Sequence, residues 1–341
     1  MAQLAASMKS FFQWTSLYPP GKPSRVEGRL ANRFGISAGL LGLAMVVLGI
    51  DSGLALYLPI LASAFLFGLP HGAIDHLVVL GLAKRSLTLK ALLVVCFAYL
   101  GLVLAMLGLW WASPFFAVML FLVITIYHWG RADLAFDSLL NPAALQATPK
   151  VLQYNHALLR GFFPIGLPFL AFPEATEAIL NACSISFGYE YELSHSLRVG
   201  ILLCLFLLLV GEIAYLGRQK EQWKLRLAED LGLIVFFTFV PPLLAVGLYF
   251  CFWHGLRHVL RLIRYKGEEA QLVSVAGRLK RFYCQALPFT FASILMIGGI
   301  LLLLPKLAGL YEFIGIYLVI ISALTVPHLL VVEWMDRREG V

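Results

Sequence analysis

Apolar residues in this chain come in unbroken runs, not in the alternating or three-in-seven spacing of elements that face water on one side. The runs cover about 34–50, 54–82, 88–111, 114–135, 151–172, 196–217, 229–264, 284–304 and 308–332. Each is near or above the ~20 residues that a helix needs to cross the hydrocarbon of a bilayer. The pattern predicts an all-α fold, a polytopic transmembrane helix bundle of about 8–10 membrane segments. Two runs are too long for one straight crossing, and both carry proline: Pro70 in the second, Pro241–Pro242 followed by Gly247 in the seventh. Proline removes a backbone donor and kinks a helix, so kinked or broken segments are expected at both places. Irregular backbone at membrane depth survives only where protein or a cavity satisfies it. The chain divides accordingly into a basic N-terminal interfacial or cytoplasmic segment (1–32), one transmembrane catalytic bundle (33–336) and a cytoplasmic tail (337–341).

Composition removes the soluble alternative. Of 341 residues, 60% are hydrophobic and 13% charged, about half the charged share of a soluble globular chain, ~25%. The formal net charge of +7 does not imply nucleic acid. Its cations sit in short stretches between apolar runs, as in Arg218–Lys220–Lys224–Arg226 and Arg278–Lys280–Arg281, which is how cytoplasmic loops look under the positive-inside rule. The five cysteines form no CxxC and read as small buried hydrophobes. The first 32 residues lack the order of a signal peptide, and Phe11, Phe12, Trp14 and Tyr18 suit a membrane interface. With the N-terminus cytoplasmic, six crossings put the acidic 173–195 connection outside and basic 218–226 inside, in a multi-pass protein of the cytoplasmic membrane. The seventh run leaves two solutions. A single crossing puts basic 261–281 outside, and a broken passage returns it inside.

The chemistry lies in polar residues that hydrocarbon disfavours. Eight histidines occur, and all but His195 fall within or at the ends of apolar runs. Ionisable groups there mark a cofactor, an ion path or a relay; the bland alternative for any single one is an interhelical hydrogen bond. His254 and His258, in Trp253–His254–Gly255–Leu256–Arg257–His258, lie i, i+4 on one helix face, roughly 40° apart, and can offer adjacent imidazoles to Zn, Cu, Fe or Ni. A zinc-protease reading fails, because Gly255 stands where that motif has its glutamate. In Pro70–His71–Gly72–Ala73–Ile74–Asp75–His76, His71 and His76 point about 140° apart on a regular helix. One of the two reaches a common metal, and Pro70 and Gly72 favour His71. Asp75 is then either an acceptor that fixes an imidazole tautomer or a buried partner of Arg131 or Arg257. His128 ends another run in Tyr127–His128–Trp129–Gly130. His328, Glu333 and Asp336 form a last polar group, the two acids read chiefly as marking the helix end beside Arg337 and Arg338. His156 has no neighbour in sequence to pair with and reads as a local hydrogen-bonder. Pro70–His71 and Pro327–His328, each followed by a nearby acid, form a short echo.

Together, Pro70-His71-Gly72-Ala73-Ile74-Asp75-His76, Tyr127-His128-Trp129-Gly130, Trp253-His254-Gly255-Leu256-Arg257-His258 and Thr325-Val326-Pro327-His328 resemble the Brp/Blh family of β-carotene 15,15'-dioxygenases, over about residues 55–336. The resemblance implies a membrane-embedded non-haem iron dioxygenase that cleaves β-carotene at its central double bond with O2 into two all-trans-retinal, and whose product passes to a rhodopsin. It implies Fe(2+) held by His71, His128, His254 and His258. Asp75, His76, Tyr127, Trp129, Trp253, His328 and Glu333 are then candidates for the shell around the metal or the pocket. The lipid bilayer supplies the substrate, and aromatic Tyr127, Trp129, Phe252 and Trp253 could line a polyene tunnel. The longer N-terminal segment departs from the family. The competing classes are a bis-histidine haem or other metal-binding membrane redox protein, a di-metal hydroxylase, for which one HxxxH is a thin supply, and a proton or solute transporter lined by histidines and acids.

Overall fold

The computed structural model describes residues 25–50, 52–219, 222–263, 274–303 and 310–340. Among these residues there is no strand. α1 (Arg25–Val47) opens the bundle, and α2 (Leu58–Phe65), α3 (Gly68–Ala73) and α4 (Asp75–Leu82) follow as one interrupted passage. α5 (Leu89–Ala112) and α6 (Pro114–Leu140) are long and continuous; short α7 (Pro142–Gln146) leads into α8 (Lys150–Ala171). α9 (Pro173–Ser184), α10 (His195–Leu216), α11 (Trp223–Phe239) and α12 (Pro242–Leu248) come next. A π-helical stretch, Tyr249–Gly255, joins α12 to α13 (Leu256–Leu262), and α14 (Val275–Leu303) and α15 (Leu310–Glu339) close the chain. Five helices start with proline in their first two positions, where the missing N–H has no helical partner to lose. The expected 1–32 segment lies outside the described residues as far as 24, and from Arg25 onward it is helical.

Among the described residues, eight helical segments are long and apolar enough to cross a membrane. Their burial separates lipid-facing from central ones: 11% of the span in α5 is buried, against 83% in the span Pro242–Leu262. Large apolar side chains such as Phe97, Leu104, Leu203, Phe206 and Leu207 are exposed on α5 and α10, which water would penalise and lipid tails accept. α8, at 22 residues or roughly 33 Å, is also long enough to cross. It lies against α6, α10 and α11, and it carries charge that lowers its hydropathy.

The long seventh run resolves into two passages, with α1 as the ruler. Asn32 contacts both Glu229 at the start of α11 and Arg257 in α13. Ten residues further along α1, a Cβ at Gly42 would meet Phe236, Val240 and Leu248. α11 therefore runs along α1, turns at Val240–Pro241, and α12, the π stretch and α13 return antiparallel to it. The broken passage, not the single crossing, is the solution adopted.

Near Pro70 the break is displaced from the proline itself. Helix ends after Phe65 and again at Ile74, and Pro70 sits inside α3. Proline has no N–H for the carbonyl four residues back, so the carbonyl of Leu66 accepts the Tyr283 hydroxyl instead, at 2.6 Å. The adjacent Phe67 carbonyl accepts from the His71 backbone N–H (3.4 Å) and from its ring Nδ1 (2.7 Å).

A buried ionic core ties the helices on one side of the site. Asp133 on α6 accepts from Trp253 Nε1 at 3.0 Å and from Arg257 Nη1 at 2.9 Å, and lies 3.8 Å from Arg160 Nη1. Arg160 on α8 also pairs with Glu229 (2.9 Å) and Asp230 (2.8 Å). Two expectations are corrected here. Arg226, read as part of a cytoplasmic basic loop, is buried against Asp137 and Glu229. Asp336, read as the mark of an emerging helix end, is buried beside Arg261, with Arg131 3.7 Å away. His156 is a hydrogen-bonder, as expected, but with a partner distant in sequence: its Nδ1 lies 2.8 Å from Glu212, and its ring stacks on Tyr215 at 4.1 Å. A long-range pair is invisible to a local reading, because the partner arrives on another helix.

α6 and α8 approach closely at Gly130 and Gly161, where a Cβ on either would run into a carbonyl of the other helix, Ala157 or Ile126. Small residues let membrane helices meet backbone to backbone. Gly130→Val is expected to lower stability by about 1–3 kcal/mol or more, the cost of overpacking, read as a drop in melting temperature in lipid nanodiscs; an unchanged melt would show that the two backbones can part freely. Arg160→Met should cost about 3–5 kcal/mol, because removing one partner strands buried charges. The companion variant Asp230→Asn, which removes one of the paired acids, should cost less than Arg160→Met in the same assay.

Candidate metal centre

Five of the eight histidines meet at one point in the bundle: His71 from α3, His128 from α6, His254 from the end of the π stretch, His258 from α13 and His328 from α15. Ring centroids lie 4.8 Å apart for His71–His328, 4.9 Å for His128–His254, 5.0 Å for His128–His328 and 5.1 Å for His71–His258. One nitrogen each from His71, His128 and His328 fall within 4.8 Å of one another. None of the five residues keeps more than 5% of its surface exposed.

Local backbone puts each ring there. His254 and His258 lie nearly parallel, 10° between planes and 6.2 Å between centroids, on one face as their spacing requires. The π stretch before them adds a residue to the turn, a distortion that recurs at functional sites. Gly255 is needed beside it: a Cβ would stand 2.8 Å from the Phe250 carbonyl and 2.9 Å from Phe67. His128 is carried by α6, two residues before the Gly130 contact. The break before α3 turns His71 inward, and the Phe67 carbonyl fixes its tautomer. A carbonyl only accepts, so Nδ1 carries the proton and Nε2 presents a lone pair.

The unmet hydrogen-bonding demand of these rings tests whether a metal fits among them. Both nitrogens of His128, His254 and His258, and Nε2 of His328, are buried without a hydrogen-bond partner among the described residues. Each orphaned buried polar atom costs about 1–3 kcal/mol. So many on facing rings fits a cation that takes their lone pairs. An all-imidazole donor set suits Fe, Zn, Cu or Ni, not the oxygen-seeking Mg or Ca.

The remaining candidates separate by position. His76 leaves the cluster, with its ring against Phe289 at 4.3 Å. Asp75 turns to His328, not to His71, Arg131 or Arg257: Nδ1 of His328 lies 2.8 Å from Oδ2, and the Tyr99 hydroxyl donates to the same oxygen at 3.2 Å. Tyr127 donates to Glu333 at 2.9 Å, and Glu333 also accepts from the exposed Arg337. Trp253 points to Asp133, with the Arg257 guanidinium 3.7 Å over its ring. His195 is exposed at the start of α10.

A cavity of about 420 Å³ abuts the cluster, within the ~300–1,000 Å³ of ligand sites, and His71, His128, His254 and His328 form part of its wall. Asp75 and His76 also reach it, and most of the remaining wall is apolar, with Phe121, Phe169, Phe250, Phe289, Leu318 and Ile321 among the lining. Of the aromatics expected to line a tunnel, Trp129 does; Tyr127, Phe252 and Trp253 are not part of the wall. Tyr99 and Thr125, also on the wall, carry no motif that marks them in sequence. His328, expected only in the shell or pocket, stands in the cluster itself, nearest the His71 ring with which it shares the Pro-His echo.

The family described as beta-carotene 15,15'-dioxygenase matches residues 62–336. The chain is 33% identical over 333 residues to the probable beta-carotene 15,15'-dioxygenase Blh of Halobacterium salinarum, covering 92% of this chain and 95% of that protein. It is 26% identical over 287 residues to the beta-carotene 15,15'-dioxygenase of an uncultured marine bacterium, 66A03, covering 81% and 93% of the two. The probable beta-carotene 15,15'-dioxygenase Brp of Halobacterium salinarum is 25% identical over 333 residues, 89% of this chain and 91% of that one. No solved structure matches. The family match runs through all five clustered histidines, and the chain belongs to the β-carotene 15,15'-dioxygenase family.

Proposed function

We propose that this chain cleaves β-carotene at the central 15,15' double bond with O2 to give two all-trans-retinal, on an Fe(2+) held by His71, His128, His254 and His258. The observation that carries the reading is the set of buried, unpartnered imidazole nitrogens opening onto an apolar cavity, in a chain of this family. Bound there, iron would supply oxygen activation, which the side chains alone do not offer. The stoichiometry closes without a reductant or a base: one carbon–carbon double bond is lost, and each of its carbons takes one atom of O2 as an aldehyde oxygen.

The chain's own residues do the rest. Neutral imidazoles leave the charge of the ion uncompensated and add no carboxylate. Apolar walls hold a hydrocarbon that has no polar group to grip, so position comes from shape: Phe121, Phe169 and Phe289 confine the polyene. Exclusion of water by the same walls keeps the oxidising step from side reactions. A substrate that partitions into lipid reaches a site between helices without crossing water. The retinal product would then pass through the bilayer to a rhodopsin. We place the protein in the cytoplasmic membrane with the N-terminus inside. Taking α8 and α11 as crossings alongside the eight apolar segments returns basic 278–281 and Arg337–Arg338 to the cytoplasmic side, as the positive-inside rule requires.

Expression in a host that accumulates β-carotene should bleach the orange colour and yield retinal by chromatography; unchanged carotene beside folded, iron-loaded protein would sink the assignment. His254→Ala and His258→Ala should each lose bound iron and cut cleavage by roughly 100-fold or more, the upper end of losses at metal centres, whereas His195→Ala should keep both. Equal iron in all three variants would refute the ligand set.

A further inference from the structure

We propose that His328 is an additional metal-ligating residue of this centre, aimed by Asp75, which Tyr99 holds in turn. The inference rests on the metal-centre reading above and adds a ligand and its support to it.

His328 differs from the other clustered histidines in having a carboxylate behind it. Oδ2 of Asp75 lies 2.8 Å from its Nδ1, and both residues are buried. The Tyr99 hydroxyl donates to that same Oδ2, and lies equally near the Leu324 carbonyl. A carboxylate that accepts from Tyr99 also accepts from Nδ1, so the proton sits on Nδ1 and the lone pair on Nε2. Nε2 is buried with no hydrogen-bond partner among the described residues. Carboxylate–imidazole–metal is the usual arrangement by which an outer residue orients a ligating histidine and raises its basicity.

Geometry places that lone pair among the other donors. His328 is one of the three residues whose ligand nitrogens fall within 4.8 Å of one another, with His71 and His128. Its ring centroid is 4.8 Å from that of His71 and 5.4 Å from that of His258. Gly72 leaves the approach open; even a Cβ there would stand 3.6 Å from His328 Nδ1. Pro327 removes one helical hydrogen bond of α15 immediately before His328, which loosens the helix where the ring must turn. A histidine that only anchored α15 to Asp75 would need Nδ1 alone. The second nitrogen, stranded among imidazoles, points to a metal.

The test uses full-length protein in lipid nanodiscs: wild type, His328→Gln, Asp75→Asn, their double variant and His254→Ala. Iron(II) affinity is read by competition with a chromophoric chelator, and coordination by the visible bands of the Co(II)-loaded protein. Melting temperature of the metal-free protein monitors the fold. We expect His328→Gln and Asp75→Asn each to weaken iron binding by roughly 10–100-fold, the range for loss of an orienting partner or a ligand. The double variant should be no weaker than His328→Gln, because Asp75 acts through that ring, and the Co(II) bands should change in His328→Gln. Wild-type affinity and unchanged bands in His328→Gln, with metal lost in His254→Ala, would overturn the proposal and leave the four-histidine reading standing. Wild-type affinity in Asp75→Asn alone would overturn the aiming role. Metal absent from wild type, or retained in His254→Ala, would remove the metal-centre reading and this inference with it. If metal-free His328→Gln fails to fold, Tyr99→Phe replaces it: weakened iron binding supports the chain of three, and unchanged binding overturns it.

Discussion

Asp133 holds together the two parts of the chain that carry three of the five clustered histidines. It lies on α6 five residues after His128, and it accepts from Trp253, the residue before His254, and from Arg257, the residue before His258. One buried carboxylate thus sets the distance between α6 and the π stretch at the level of the site. Its own charge is met by Arg257 and, further off, by Arg160. In hydrocarbon no water can replace a lost partner, so the arrangement has few alternatives. Buried ion pairs are poor sources of net stability. Here their use is positional: they leave one way for α6, α8, α11 and α13 to fit.

The backbone supplies the other half of the placement. Pro70 withholds a donor from the Leu66 carbonyl, Tyr283 on α14 meets it, and the exchange frees α3 to turn His71 inward. The π stretch shifts His254 relative to α12, and Gly255 lets Phe67 come close enough to pack against it. Gly130 and Gly161 bring α6 onto α8 backbone to backbone. Each is an irregularity that a protein partner meets: a hydroxyl at Leu66, and close backbone or side-chain packing at Gly130, Gly161 and Gly255.

Local patterns in the sequence were sufficient for much of this. Run length gave the helical bundle, and the prolines marked both interrupted passages, although at Pro70 the helix breaks on either side of the residue. The i, i+4 spacing put His254 and His258 on one face, and the opposed directions of His71 and His76 separated them as the structure does. What stayed hidden involves pairing across distance. Arg226 and Asp336 look like loop and tail residues because their partners lie on other helices. Asp75 could be matched to a histidine in its own segment or to an arginine. The one it faces, His328, is 253 positions away. Tyr99 and Thr125 reach the cavity wall through helix packing alone.

The charges on α8 and α11 have a consequence for how the protein is made. A helix bearing Arg160, or one bearing Glu229 and Asp230, is a poor candidate to leave the translocation machinery alone into lipid, since each unpaired charge is expensive there. α6 is synthesised first and brings Asp133 and Asp137; Arg160 follows on α8, and Arg226, Glu229 and Asp230 arrive later still. Neutralisation therefore proceeds in the order of translation, each new helix completing the charge left open by an earlier one. The same residues that fix the site then act as an assembly sequence, and its last closures come when Arg257 reaches Asp133 and, later, Asp336 reaches Arg261.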